Sequence, residues 1–208
     1  MSLTTWLLFV AVAAISILSP GPAFLVAIRN GMSGGVRRVA VSSLGNIIGL
    51  LAVAGTAVLG LGVVLKTSEW LFTALKLFGA GYLIYLGVRQ WRSRESLAVA
   101  SASMPKRGRV HVFGEGLLVA LGNPKAILFF TALFPQFLDT SVPLWPQFTI
   151  MVGTFMALSF CTLVIYGSLA RRIAGLFGSA RRVLWINRLV GSAFVGLGVS
   201  LLRLRQPL

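Results

Sequence analysis

The chain has 208 residues, of which 57% are hydrophobic and 11% charged, with a mean hydropathy of +0.90 and a net charge of +15. A soluble domain carries roughly 25% charged residues, so this composition excludes one and indicates a single-domain, all-α integral membrane protein. One cysteine, Cys161, and one histidine, His111, exclude an internal disulfide and a Cys- or His-built metal site, and no cofactor is expected.

Six apolar runs are long enough to cross about 30 Å of hydrocarbon, which takes roughly 20 helical residues. The first covers residues 5–28 and contains "LSPGPAF". Pro20 and Pro22 have no N–H, so the carbonyls of Ser16 and Leu18 lose their helical partners. In hydrocarbon each such loss costs several kcal/mol, and the break therefore needs a reason. Gly21 between the prolines permits close approach of backbone and ligand. Residues 1–17 carry no charge and show no Lys/Arg-led leader, so the start is expected to be a span, not a removed signal.

The second run, 39–65, carries "GNIIG" at 45–49. Gly45 and Gly49 allow close helix contact, read here as packing within the fold, with a homodimer face as the other reading. Asn46 is either an interhelical hydrogen bond or a substrate ligand. The third run, 70–90, carries Lys76, about 9 Å from its outer end, where snorkelling and a site role are equally open. A basic, Ser/Ala-rich loop follows at 93–109, read as a cytoplasmic tether, with attraction to anionic lipid as the second reading. The fourth run, 112–134, contains Asn123, Pro124 and Lys125. An intramembrane charge such as Lys125, with poor reach to either surface, is a functional hypothesis by default. The fifth and sixth runs cover 145–169 and 183–202, and all five tryptophans lie near run ends, where the indole sits best.

The basic residues are uneven. Arg29, Arg37 and Arg38 follow the first run; Arg89, Arg92, Arg94, Lys106, Arg107 and Arg109 flank the third; Arg171, Arg172, Arg181, Arg182 and Arg188 follow the fifth. Only Lys66, Arg203 and Arg205 fall on the other side. The positive-inside rule then places both termini outside and the basic loops in the cytoplasm. Orientation explains these cations better than nucleic acid does, so no nucleic-acid partner is expected.

The loop divides the chain into halves of about 1–92 and 110–208. Three spans per half insert with opposite orientation, giving two inverted repeats. "KLFGAGYLI" (76–84) aligns with "RLVGSAFVG" (188–196), and Pro20 corresponds in position to Pro124. Pro20 lies roughly 12 Å and Pro124 roughly 18 Å from the inner face, so both breaks fall near the midplane. Paired broken helices of this kind form substrate sites in secondary transporters. The half-helix N-termini after each break favour an anionic group. The freed carbonyls of Ser16, Leu18 and Ala120 suit an ammonium group, so the expected cargo is a zwitterion. The expected site is Pro20, Gly21, Pro22, Asn46, Lys76, Asn123, Pro124 and Lys125, with Lys125 adding positive charge for a carboxylate.

"SPGPAFLVAIRNGMSGG", "LKLFGAGYLIYLG" and "LGNPKAILFFTALFPQF", with six spans and a mid-chain basic linker, resemble the LysE/RhtB family of bacterial amino-acid exporters over nearly the whole chain. The resemblance implies efflux of homoserine, threonine, lysine, leucine or close derivatives across the bacterial inner membrane, with proton exchange as the energy source. Within it, the signature segments fall on Ser19 to Pro22 and on Asn123 to Lys125. Export of another small solute or cation, or a structural or assembly role in the membrane, are the alternatives. An enzyme is not expected, because no carboxylate pair or Ser/His constellation lies in the runs. No G-x-x-x-x-G-K-[ST] loop is present, so the chain is not itself expected to be an ATPase. Of the four acids, Glu115 and Asp139 are the candidates for gating protons.

Overall fold

The computed structural model describes residues 1–67, 69–92, 108–139, 141–177 and 179–203, and among these every regular element is helical. Helix α1 (Leu3–Leu18) starts at Ser2, whose hydroxyl accepts from Thr5 N–H at 3.1 Å. It stops where Ser19 turns extended before Pro20. Helix α2 (Pro22–Thr67) begins with a proline, whose fixed φ suits the first helical position.

Gly35 interrupts α2 with φ 68° and ψ −168°, a conformation open to glycine and strained for other residues. The chain reverses there. Arg38 Nε donates to Asn30 Oδ1 at 3.0 Å, Ala27 packs with Val39, and Ala23 and Asn46 line one small cavity. An unbroken helix would hold Ala23 and Asn46 about 35 Å apart. Helix α2 is therefore two antiparallel arms, 22–34 and 36–67. The first arm runs past the predicted limit of residue 28 because Gly31 seats directly on the backbone of Gly167.

Next come α3 (Glu69–Arg92), α4 (Arg109–Leu121) and α5 (Pro124–Leu128). A π-turn, Phe129–Leu133, and a 3-10 turn, Phe134–Phe137, continue α5. Then follow α6 (Leu144–Ser168), α7 (Ala170–Phe177) and α8 (Ala180–Arg203). The short α7 was not expected; residues 170–177 are too polar to read as part of a span.

Leu144–Ser168 and Arg181–Ser200 are long and apolar enough to cross a membrane; Pro22–Ala57 is so by length and composition, but the reversal at Gly35 divides it between the two arms of α2. Arg109–Leu121 with Pro124–Phe137 meets the same test as one span bent by 49°. The predicted proline breaks are thus real interruptions in two helices. The 93–107 part of the linker lies outside the described residues.

Glycines set how closely the helices approach. A Cβ on Gly45 or Gly116 would collide with the backbone of Phe113 or Ser42, and one on Gly49 with Leu117 and Ala120. The "GNIIG" glycines are therefore filled by α4 of the same chain, as the packing reading expected. Gly87 and Gly191 bring α3 and α8 together, with Gly198 over Ala80 further along this antiparallel pair.

One end of the molecule gathers the basic turns. Arg37 and Arg38 share a surface cleft with Arg109, and the Gly35 turn lies beside Arg171 and Arg172. Toward the other end an aromatic cluster closes the core. Phe9 meets Phe129, Phe134 and Phe137, and Phe155 meets Phe129 and Phe130, with ring centroids 4.7–6.0 Å apart.

Candidate functional site

The two breaks face each other between these ends. At the first, Pro20 and Pro22 cannot donate to the carbonyls of Ser16 and Leu18. At the second, Gly122 and Asn123 leave the helix, and the Asn123 side chain caps α5 by accepting from Lys125 N–H at 3.1 Å. That cap turns Lys125 toward α1. Its Nζ donates to the Ser16 carbonyl at 2.8 Å and the Ser19 carbonyl at 2.9 Å. Tyr166 of α6 donates its hydroxyl to the Leu18 carbonyl at 3.0 Å.

This corrects one expectation. In this structure the carbonyls of Ser16 and Leu18 do not stand open: Lys125 and Tyr166 satisfy them. The physical reason is the one that made the break costly: an unpartnered carbonyl in the interior draws the nearest strong donor. The Ala120 carbonyl is likewise used, accepting from Asn123 N–H at 3.2 Å.

The break residues separate two cavities. The larger, about 310 Å³, is lined by Pro20, Gly21, Pro22, Asn123, Pro124 and Lys125 on one wall. Tyr82, Arg89, Gln90 and Asn187 of α3 and α8 form the other wall. The smaller, about 40 Å³, lies among Ser16, Asn46, Asn123, Lys125, Phe155 and Ser159. Ser19, Gly21, Asn123 and Lys125 line both. A Cβ on Gly21 would sit 3.3 Å from Lys125 Nζ, so glycine leaves the lysine its space.

Of the expected site residues, Pro20, Gly21, Pro22, Asn123, Pro124 and Lys125 meet at the large cavity, and buried Asn46 reaches the small one. Lys76 falls on α3, and its side chain lies outside the described residues. Sequence reasoning missed Tyr82, Gln90, Asn187 and Tyr166, and it read Arg89 only as a loop cation. A signal was present: Tyr82 and Arg89 are seven residues apart on one helical face, and Gln90 is beside them. Gln90 Nε2 donates to Asn187 Oδ1 at 2.7 Å across α3 and α8.

The two acids considered for proton gating are differently placed. Glu115 is ion-paired with Arg29 on the first arm of α2. Asp139 lies in the turn before α6, where the Ser141 hydroxyl and backbone N–H donate to it and hold its carboxyl below the usual range. It therefore stays ionised near neutral pH, which does not suit a group that must load and release a proton there.

The fold and site define a helical membrane protein with two broken helices meeting at an internal cavity. The LysE type translocator family matches residues 14–205, and the chain belongs to that family. An uncharacterized membrane protein of Vibrio cholerae serotype O1 is 35% identical over 97% of this chain and 98% of its own length. A homoserine/homoserine lactone efflux protein of Salmonella typhi is 32% identical over 99% and 100%. A threonine efflux protein of Escherichia coli K12 is 31% identical over 94% and 98%. No solved structure matches the chain.

Proposed function

We propose that this chain is a secondary transporter exporting a small amino acid, or a close derivative, across the bacterial inner membrane. The observation that carries the reading is the Lys125 ammonium held by the Ser16 and Ser19 carbonyls between two cavities. These carbonyls accept an ammonium group at 2.8–2.9 Å, and the cargo of the named relatives carries one. In this reading the carbonyls hold Lys125 at rest and the cargo's ammonium during passage. Two ammonium groups repel in a site of low dielectric, so Lys125 moves away or gives up its proton as cargo arrives. The second route makes the cycle a proton antiport.

The six runs then act as two inverted repeats, halves 1–92 and 110–208, around the breaks. The antiparallel α3 and α8 and the pairing of one break from each half support this. In this reading the large cavity, which Arg89 and Gln90 near the C-terminal end of α3 line, is the cytoplasmic side of the path, and the phenylalanine cluster is its outer seal. The π-turn at Phe129–Leu133 carries part of that seal, and π-turns recur at functional sites.

Two experiments test the reading. Cells expressing the gene are challenged with toxic levels of each amino acid or analogue, and efflux of the labelled compound is measured. Efflux of at least one is expected; resistance and efflux unchanged across the set would overturn the transport reading. Cysteines replace Ser2 and Ser101, in a chain with Cys161 replaced, and intact cells are treated with an impermeant thiol reagent. Labelling at Ser2 but not Ser101 is expected from the basic asymmetry, and the reverse pattern would invert the topology.

A further inference from the structure

We propose that Arg89, not Lys125, takes the carboxylate of the cargo, making the α3/α8 wall of the large cavity a recognition site for carboxylate-bearing solutes. The assignment rests on the transport reading above.

It begins with the donors of Lys125. An ammonium has three N–H groups. Two are committed to the Ser16 and Ser19 carbonyls, and the Ser16 carbonyl has no helical donor because residue 20 is proline. Lys125 can leave the two carbonyls only when the cargo's ammonium replaces it there, so a carboxylate alone cannot draw it away without stranding both in the interior. Arg89 carries no such obligation. It is exposed and lines the 310 Å³ cavity, and no carboxylate of the described residues pairs with it. Its planar fork matches a carboxylate with two parallel hydrogen bonds, which a lysine cannot offer.

The surroundings agree in kind. Beside Arg89 the wall presents the Tyr82 hydroxyl and the Gln90–Asn187 amide pair, which are neutral and serve polar cargo atoms without a competing negative charge. With 19 Lys and Arg against four acids in the chain, an anionic group is the partner this wall lacks. Gly21 and Asn123 line the same cavity, so a solute held there by its carboxylate shares the cavity with the breaks.

The test uses the full chain in proteoliposomes and two labelled probes, homoserine and homoserine lactone. The lactone keeps the amino group but has no carboxylate. Arg89→Gln should raise KM for homoserine by about tenfold or more, the scale of a lost charge-assisted pair. It should leave KM for the lactone within about twofold, the scale of a change at the surface. Arg89→Lys should restore part of the homoserine effect by keeping the charge and losing the fork. Equal changes for both probes, or no change for homoserine, overturn the assignment while transport itself stands. If the wild type moves neither probe nor any other amino acid, the transport reading falls and this assignment falls with it.

Discussion

Lys125→Met should abolish amino-acid efflux and lower the melting temperature in detergent, and Lys125→Gln should recover much of the second loss but not the first. Methionine has similar length and no donor. It leaves the Ser16 and Ser19 carbonyls without the partner that now sits at 2.8 and 2.9 Å. A buried acceptor left unsatisfied costs about 1–3 kcal/mol. Glutamine can donate to one of the two carbonyls, so its chain should melt closer to wild type. Neither variant carries the cation that bonds the two breaks together and, in the proposed cycle, exchanges with the cargo. The measurement pairs a melting curve with labelled efflux for each variant. Near wild-type efflux by folded Lys125→Met would take Lys125 out of the transport path.

The second large effect is structural. Gly116→Leu should sharply reduce folded protein and remove efflux, whereas Gly114→Leu should be close to neutral. Both lie in α4. A side chain at Gly116 would enter the Ser42 backbone, while one at Gly114 meets nothing within 4 Å. Overpacking a core costs about 1–3 kcal/mol when side chains can yield. Here the obstacle is the backbone of α2, so the helices must part. Asn123 and Lys125 follow α4 and would be carried away from α1. Yield after detergent extraction and the melting temperature read this effect. Equal behaviour of the two variants would mean that the α2–α4 contact does not position the break.

Much of this site was legible because its signals are local. A proline announces its missing N–H by itself, and a lysine inside an apolar run is conspicuous wherever the chain folds. Counting residues also suggested that the two breaks lie level, and Lys125 does reach from the second break to the first. What Lys125 bonds to was not legible. Its partners lie more than 100 residues away, and no period or motif encodes which carbonyls it meets. Tyr166 was missed for the same reason, since a tyrosine in a span reads as packing until its hydroxyl is seen on Leu18. Arg89 was misread because charge counting assigns it to a loop, although α3 extends to Arg92 and turns it into a cavity. The Gly35 reversal lies in "SGG", between the first two apolar runs, and hydropathy does not show that helical arms reach it from both sides. That the chain is a helical membrane protein followed from composition and run length, because 57% hydrophobic residues in long runs leave few soluble alternatives.

The central claim is that this chain by itself carries an amino acid through the broken-helix site. Counterflow tests it most directly. Purified protein is reconstituted into proteoliposomes loaded with unlabelled homoserine, threonine or leucine, and uptake of the same labelled compound is followed without any gradient. Transient accumulation of label is expected with at least one of these cargoes in wild type, and none with Lys125→Met. Cooperatively melting wild-type protein that shows no counterflow with any amino acid, or Lys125→Met that matches it, would contradict the account.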